Sequence, residues 1–120
     1  MTEPTFFASL PSGPLILASS SHTRQALLAA AGIDLRTAPV VIDEASIRAA
    51  CAADDVDPVE AAILLAEMKG TAACQRHVIS SGQLVLAADQ ILVFDGYMFG
   101  KPENRDAAHD QLSRLQGQTH

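Results

Sequence analysis

The hydrophobic pattern divides the chain into short apolar runs and longer stretches with helical spacing. Residues 1–13 fit neither rhythm and read as a loose leader that closes on the turn sequence Pro11-Ser12-Gly13-Pro14. Leu15-Ile16-Leu17-Ala18 is an unbroken apolar run, as expected of a buried strand. Ser19-Ser20-Ser21 interrupts it, and Leu27, Leu28 and Ala31 then recur at helical spacing until Gly32 stops the helix. Residues 33–42 read as extended and end in Val40-Val41-Ile42, just before Asp43-Glu44. A short helix is expected from Ile47 to Ala52. A longer one starts at Asp57-Pro58, with an acid at the N-cap and proline at the first helical position, and runs to about Ala73. Leu84–Ala88 and Ile91–Phe94 form the most apolar stretch, divided only by Asp89-Gln90. Asp95-Gly96 is a hairpin signal leading into Tyr97-Met98-Phe99. Beyond Gly100-Lys101-Pro102, a last helix is expected from Asp106 to Leu115, with Gly117 as its stop. Strands alternating with helices, plus one hairpin, predict an α/β fold: a mixed β-sheet flanked by helices.

Composition narrows this picture. The chain has 120 residues, 48% hydrophobic and 18% charged, which is too apolar for a disordered segment and suits one domain. The apolar residues are mostly small: there are four Phe, one Tyr and no Trp, so the core should be modest. A net charge of −6 excludes a basic groove for a nucleic-acid polymer. An anionic ligand would have to be held by a few local cations. The two cysteines, Cys51 and Cys74, build no disulfide framework and read as buried thiols in a reducing compartment. Cys74-x-x-His77 is at most half of a zinc site. The uncharged stretch from Pro4 to Thr23 is broken by Pro11, Pro14 and serines, which excludes a membrane span, and Glu3 argues against a secretion signal. A soluble cytoplasmic protein is expected.

Candidate chemistry concentrates in the connections. Ser19-Ser20-Ser21 at a helix start offers hydroxyls, backbone N–H groups and the positive end of the helix dipole to an anion. Arg24, one turn in, can fork onto a phosphate. The plainer reading is that the serines cap the helix and Arg24 reaches to solvent. Asp43-Glu44 could hold a divalent cation, or simply begin a helix. Lys69 has Leu65, Ala66, Ala72 and Ala73 at its i±3 and i±4 positions, which carry no charge and leave room for a bulky anion; reaching to solvent explains it equally well. Asp89 interrupts the apolar run Leu84–Phe94, where a buried carboxylate needs a partner, a metal or turn amides. Lys101 is held extended by Pro102, and Lys69 and Lys101 are the only two lysines of the chain. Three cations (Arg24, Lys69, Lys101) and three carboxylates (Asp43, Glu44, Asp89) suit a nucleoside triphosphate: cations for phosphates, carboxylates for Mg²⁺, and a base for water. Neither a Walker-type loop nor a dinucleotide fingerprint is present.

Taken in order, these segments resemble the Maf family of nucleoside triphosphate pyrophosphatases, proteins also linked to septum formation. Leu15 to Arg24 is similar to the family's opening A-S-x-S-x-x-R segment. Asp43-Glu44, Leu65-Ala66-Glu67-Met68-Lys69, Ala88-Asp89-Gln90, Gly100-Lys101-Pro102 and Leu115 to His120 resemble its later motifs. The resemblance implies the mixed α/β fold shared with inosine-triphosphate pyrophosphatases, in two lobes with the nucleotide in the cleft. It implies hydrolysis of a nucleoside triphosphate, with modified or non-standard ones among the candidates, to the monophosphate and pyrophosphate. Asp89 would then accept the proton of the attacking water and, with Glu44, touch Mg²⁺ or another divalent cation such as Mn²⁺. Arg24, Lys69 and Lys101 would neutralise the phosphates, and Ser19 and Ser21 would hydrogen-bond to them.

Three departures qualify the resemblance. His22-Thr23 stands where the family usually has Pro-Arg, so one cation that contacts phosphate or base is absent from its usual place. Gln90 resembles the branch acting on 7-methylguanosine triphosphate and counts among the substrate-contacting residues. The family domain continues past the Gly-x-Thr-His segment, so residues 14–120 are expected to be the N-terminal majority of one domain. An open sheet edge there would admit a homodimer. The expected alternative to an enzyme is a truncated, non-catalytic nucleotide-binding or division-regulating protein.

Overall fold

The computed structural model describes residues 13–120, so the leader expected over 1–13 lies, except for Gly13, outside the described residues. In chain order the elements are β1 (Leu15–Leu17), α1 (His22–Ala30), β2 (Leu35–Thr37), α2 (Glu44–Ala53), α3 (Pro58–Arg76), β3 (Val85–Leu86), β4 (Leu92–Phe94), β5 (Tyr97–Phe99) and α4 (Arg105–Leu115). They form two compact units. Unit 1 takes the chain up to Ile42 and Leu64–Ala88; unit 2 takes Asp43–Ile63 and Asp89–His120.

Unit 1 is built on a three-stranded parallel sheet in the order β2-β1-β3. The unbroken apolar run made β1 the central strand, and Ile16, Leu17 and Ala18 are all buried. Its backbone donates to both neighbours: Leu15 N–H to Asp34 O, and Ile16 and Ala18 N–H to Leu84 and Leu86 O, each at 2.9 Å. Around Ile16 and Ala18 pack Ala38 and Ala73, with Val40, Ile79, Val85 and Ala87 partly buried against them. The modest, alanine-rich core expected from composition is found here.

Residues 33–42 are extended over a shorter strand than their composition suggested, because only Leu35–Thr37 pair with β1. The following segment is braced by side chains instead. Arg76 Nη1 donates to Val41 O and the His77 ring donates from Nε2 to Pro39 O, both at 2.8 Å. These bonds also explain why α3 continues beyond Ala73 to Arg76.

Unit 2 holds the antiparallel hairpin of β4 and β5, in register Leu92↔Phe99, Val93↔Met98 and Phe94↔Tyr97. Asp95 and Gly96 both have positive φ, 51° and 73°, the primed-turn geometry that Asp-Gly favours. Tyr97 and Phe99 meet edge to face at 4.9 Å, and the Arg114 guanidinium of α4 lies 5.4 and 4.9 Å from their ring centres. Asn104 caps α4, its Oδ1 accepting the Ala107 N–H at 2.8 Å. The α/β class holds, with the parallel and antiparallel pairings in two separate sheets. Among the described residues, no helix is long and apolar enough to cross a membrane.

Candidate functional site

Unit 1 carries Ser19, Ser21, Arg24 and Lys69. Ser19 is 7% exposed, immediately beyond the buried end of β1, and its Oγ accepts the Ser21 N–H at 3.0 Å. Ser21 is the N-cap of α1, with extended dihedrals, and its Oγ accepts the Arg24 N–H at 3.3 Å. The capping role weighed for these serines is therefore present. It does not compete with anion binding, because a hydroxyl that accepts still has its O–H to donate. The first turn of α1 contains no acid, so its positive dipole end is not compensated from within the helix.

Lys69 lies on the buried side of α3: Leu65 at i−4, Ala72 at i+3 and Ala73 at i+4 are all buried, while Lys69 is half-buried. The flank of small apolar side chains expected around this lysine is found. Cys74, one residue past that face, is exposed, which corrects the expectation of two buried thiols; Cys51 is buried. A single helical step of about 100° moves a side chain from the core face to the outside. Among the described residues, no group of three His, Cys, Asp or Glu side chains could hold a metal ion, so the Cys74–His77 pair gains no zinc site.

Unit 2 carries Glu44, Asp89, Gln90 and Lys101. Asp43 caps α2: Oδ1 accepts the Ser46 N–H at 3.1 Å and Oδ2 the Ser46 hydroxyl at 2.7 Å. These bonds, the hydroxyl one first, hold the Asp43 carboxyl below the ordinary aspartate range. Both oxygens of Asp43 serve the cap of α2. Its capping starts α2 at Glu44, ahead of the expected Ile47. Glu44 Oε2 pairs with Arg48 Nη1 at 3.6 Å across one turn.

Asp89 lies in the connection between β3 and β4 and is half-buried, with Gln90 exposed beside it. The deep burial expected for Leu84–Phe94 is absent: Leu84 is 51% and Leu86 38% exposed. The reason is topological, since β3 is a two-residue edge strand and β4 belongs to the hairpin. Asp89 is therefore not a carboxylate stranded in a core, and its candidacy stands on its position in the motif. Lys101 is exposed just beyond β5, after the half-buried Gly100.

The structure thus joins Ser19, Ser21 and Arg24 through hydrogen bonds in one turn, and Glu44 to Arg48 in another. Arg48 was not singled out from the sequence; its i,i+4 spacing from Glu44 was the available signal.

Comparison with known proteins adds a family. Residues 14–120 match the family model described as Maf-like protein. The chain is 43% identical over 106 residues to nucleoside triphosphate pyrophosphatase 1 of Jannaschia sp. (strain CCS1), covering 88% of this chain and 52% of that protein. It is 43% identical over 107 residues to the nucleoside triphosphate pyrophosphatase of Nitrobacter hamburgensis, covering 89% and 50%. It is 38% identical over 106 residues to the 7-methyl-GTP pyrophosphatase of Mesorhizobium japonicum, covering 88% and 52%. The chain spans about half the length of the curated relatives it matches. With a family match that runs from the start of the first strand to His120, the chain belongs to the Maf-like protein family.

Proposed function

We propose that this chain carries the nucleotide-handling residues of a nucleoside triphosphate pyrophosphatase that releases a nucleoside monophosphate and pyrophosphate. The observation that carries the reading is the match of residues 14–120 to the Maf-like family, within which similar proteins bear pyrophosphatase names. In this reading water attacks the α-phosphorus, the bond from that phosphorus to the bridging oxygen breaks, and the oxygen leaves with pyrophosphate. Asp89 takes the proton of the attacking water as general base. Arg24, Lys69 and Lys101 offset the phosphate charge, and the Ser19 and Ser21 hydroxyls with the α1 N-terminus donate hydrogen bonds to it. Gln90, exposed beside Asp89, contacts the substrate, and a 7-methylated guanine nucleotide is the first candidate, in keeping with one relative's name.

Glu44 and Asp89 are hard oxygen donors, which suits Mg²⁺ or Mn²⁺; two carboxylates are also the usual protein share for a Mg²⁺ ion that keeps waters and substrate oxygens. Such an ion would supply Lewis-acid neutralisation of the phosphate oxygens. A cytoplasmic location fits a nucleotide substrate. The net charge of −6 favours a small anion held by local cations over a nucleic-acid polymer. β3 is an edge strand of the parallel sheet, so a homodimer is part of this reading, to be checked by light scattering.

The test is pyrophosphate release across a panel of nucleoside triphosphates that includes 7-methylguanosine triphosphate. Asp89→Asn should lower turnover by about 10²-fold or more while leaving nucleotide binding measurable. Full activity of Asp89→Asn removes the assigned base. Nucleotide binding by calorimetry with no turnover in the parent chain would assign it a binding role instead.

A further inference from the structure

Lys101 is carried on a peptide that two other side chains hold. Gly100 follows the buried Phe99 at the end of β5 and is half-buried. Its carbonyl accepts a hydrogen bond from Gln111 Nε2 at 3.0 Å, so α4 anchors one side of this peptide. Arg48 of α2 lies against it as well. A Cβ added at residue 100 would sit 2.6 Å from Arg48 Nη2, 3.3 Å from Cζ and 3.7 Å from Nε. Gly100 has no left-handed φ, so what favours glycine here is the guanidinium beside its α-carbon. The same guanidinium pairs with Glu44 at 3.6 Å, with side chains 20% and 35% exposed. One arginine therefore touches both the carboxylate of α2 and the peptide that leads into Lys101.

We propose that Arg48 and Gln111 are positioning residues: together they fix the Gly100–Lys101 peptide, and Arg48 couples its placement to the Glu44 carboxylate. This rests on the reading of Lys101 as a phosphate-neutralising group and of Glu44 as a cation ligand. The planar guanidinium suits the task because its forked N–H groups can serve a carboxylate while its body covers a glycine. A lysine keeps the charge beside Glu44 and loses the flat contact with Gly100. A methyl group at residue 100 meets the flexible end of Arg48 rather than backbone, so Gly100→Ala displaces the guanidinium and leaves the chain path intact.

The experiment uses the whole 120-residue chain. It measures the NMR order parameter of the Lys101 amide, hydrogen exchange in α1, calorimetric binding of 7-methylguanosine triphosphate and UTP, and the Mg²⁺ concentration for half-maximal binding. Arg48→Ala, Gly100→Ala and Gln111→Leu should each lower the Lys101 order parameter and weaken triphosphate binding about tenfold, with exchange in α1 unchanged as the folding control. Arg48→Ala should also lower the Mg²⁺ requirement, because a competing cation leaves Glu44; Gln111→Leu should not, and Arg48→Lys should keep the parent requirement. The double variant Arg48→Ala/Gly100→Ala should be no worse than Arg48→Ala alone. An unchanged order parameter at Lys101, additive losses in the double variant, or a Mg²⁺ requirement that moves equally in Arg48→Ala and Gln111→Leu would each overturn the proposal. A parent chain that binds neither triphosphate overturns the reading of Lys101 itself, and the order parameter at Lys101 then decides the clamp on its own.

Discussion

At the scale of single residues, small polar side chains in this chain do backbone work beside their candidate chemistry. Ser19 and Ser21 accept backbone N–H groups and keep their hydroxyl protons for a ligand. Asp43 does the same for α2, with both oxygens accepting from Ser46. Its carboxyl is held below the ordinary aspartate value, so it ionises more readily folded than unfolded. Its contribution to α2 is complete above the ordinary aspartate range and is lost as pH falls through the lowered folded value. Protection factors in α2, with the intrinsic pH dependence of exchange divided out, should therefore fall below that range in the parent chain. In Asp43→Asn, which can still cap but does not titrate, this acid-dependent fall should vanish.

At the scale of elements, local signals are legible in the sequence and distant pairings are not. β1, α1 and the Asp95-Gly96 hairpin were legible because each is fixed by neighbours in the sequence: an apolar run, a serine cap, a turn dipeptide. The turn allows a sharp test. Gly96 has φ +73° and no atom within 4 Å of a built Cβ, so Gly96→Ala meets open space and pays only for its backbone conformation. The loss should be about 1–2 kcal/mol, read as a lowered denaturation midpoint. A loss near zero would mean that the turn does not hold its left-handed form in solution. What sequence could not supply was partnership across the chain. Leu84–Ala88 and Ile91–Phe94 read as buried strands on either side of Asp89-Gln90, yet they join different sheets and neither is deeply buried. The candidate residues were legible as motif positions. Their supports were not, because nothing local links Arg48 to Gly100 or Gln111 to the same glycine; only the fold makes those pairs.

At the scale of the whole molecule, the described core contains few large side chains. Ile16, Leu17 and Leu65 are the largest that are fully buried. Leu17→Ala should therefore be severe, about 2–5 kcal/mol by urea unfolding, because little surrounding bulk can relax into the gap. A loss under about 1 kcal/mol would mean that the centre of the parallel sheet is softer than its burial implies. The rest of the core around β1 is largely alanine: Ala18, Ala38 and Ala73 are each fully buried. A methyl group offers almost nothing to remove and no room in which to add. The tolerance of this core to mutation is consequently one-sided. Random substitution can damage it at these positions mainly by growth, through overpacking of about 1–3 kcal/mol per intruding side chain, so a library built on this scaffold should lose its bulky variants first at Ala18, Ala38 and Ala73.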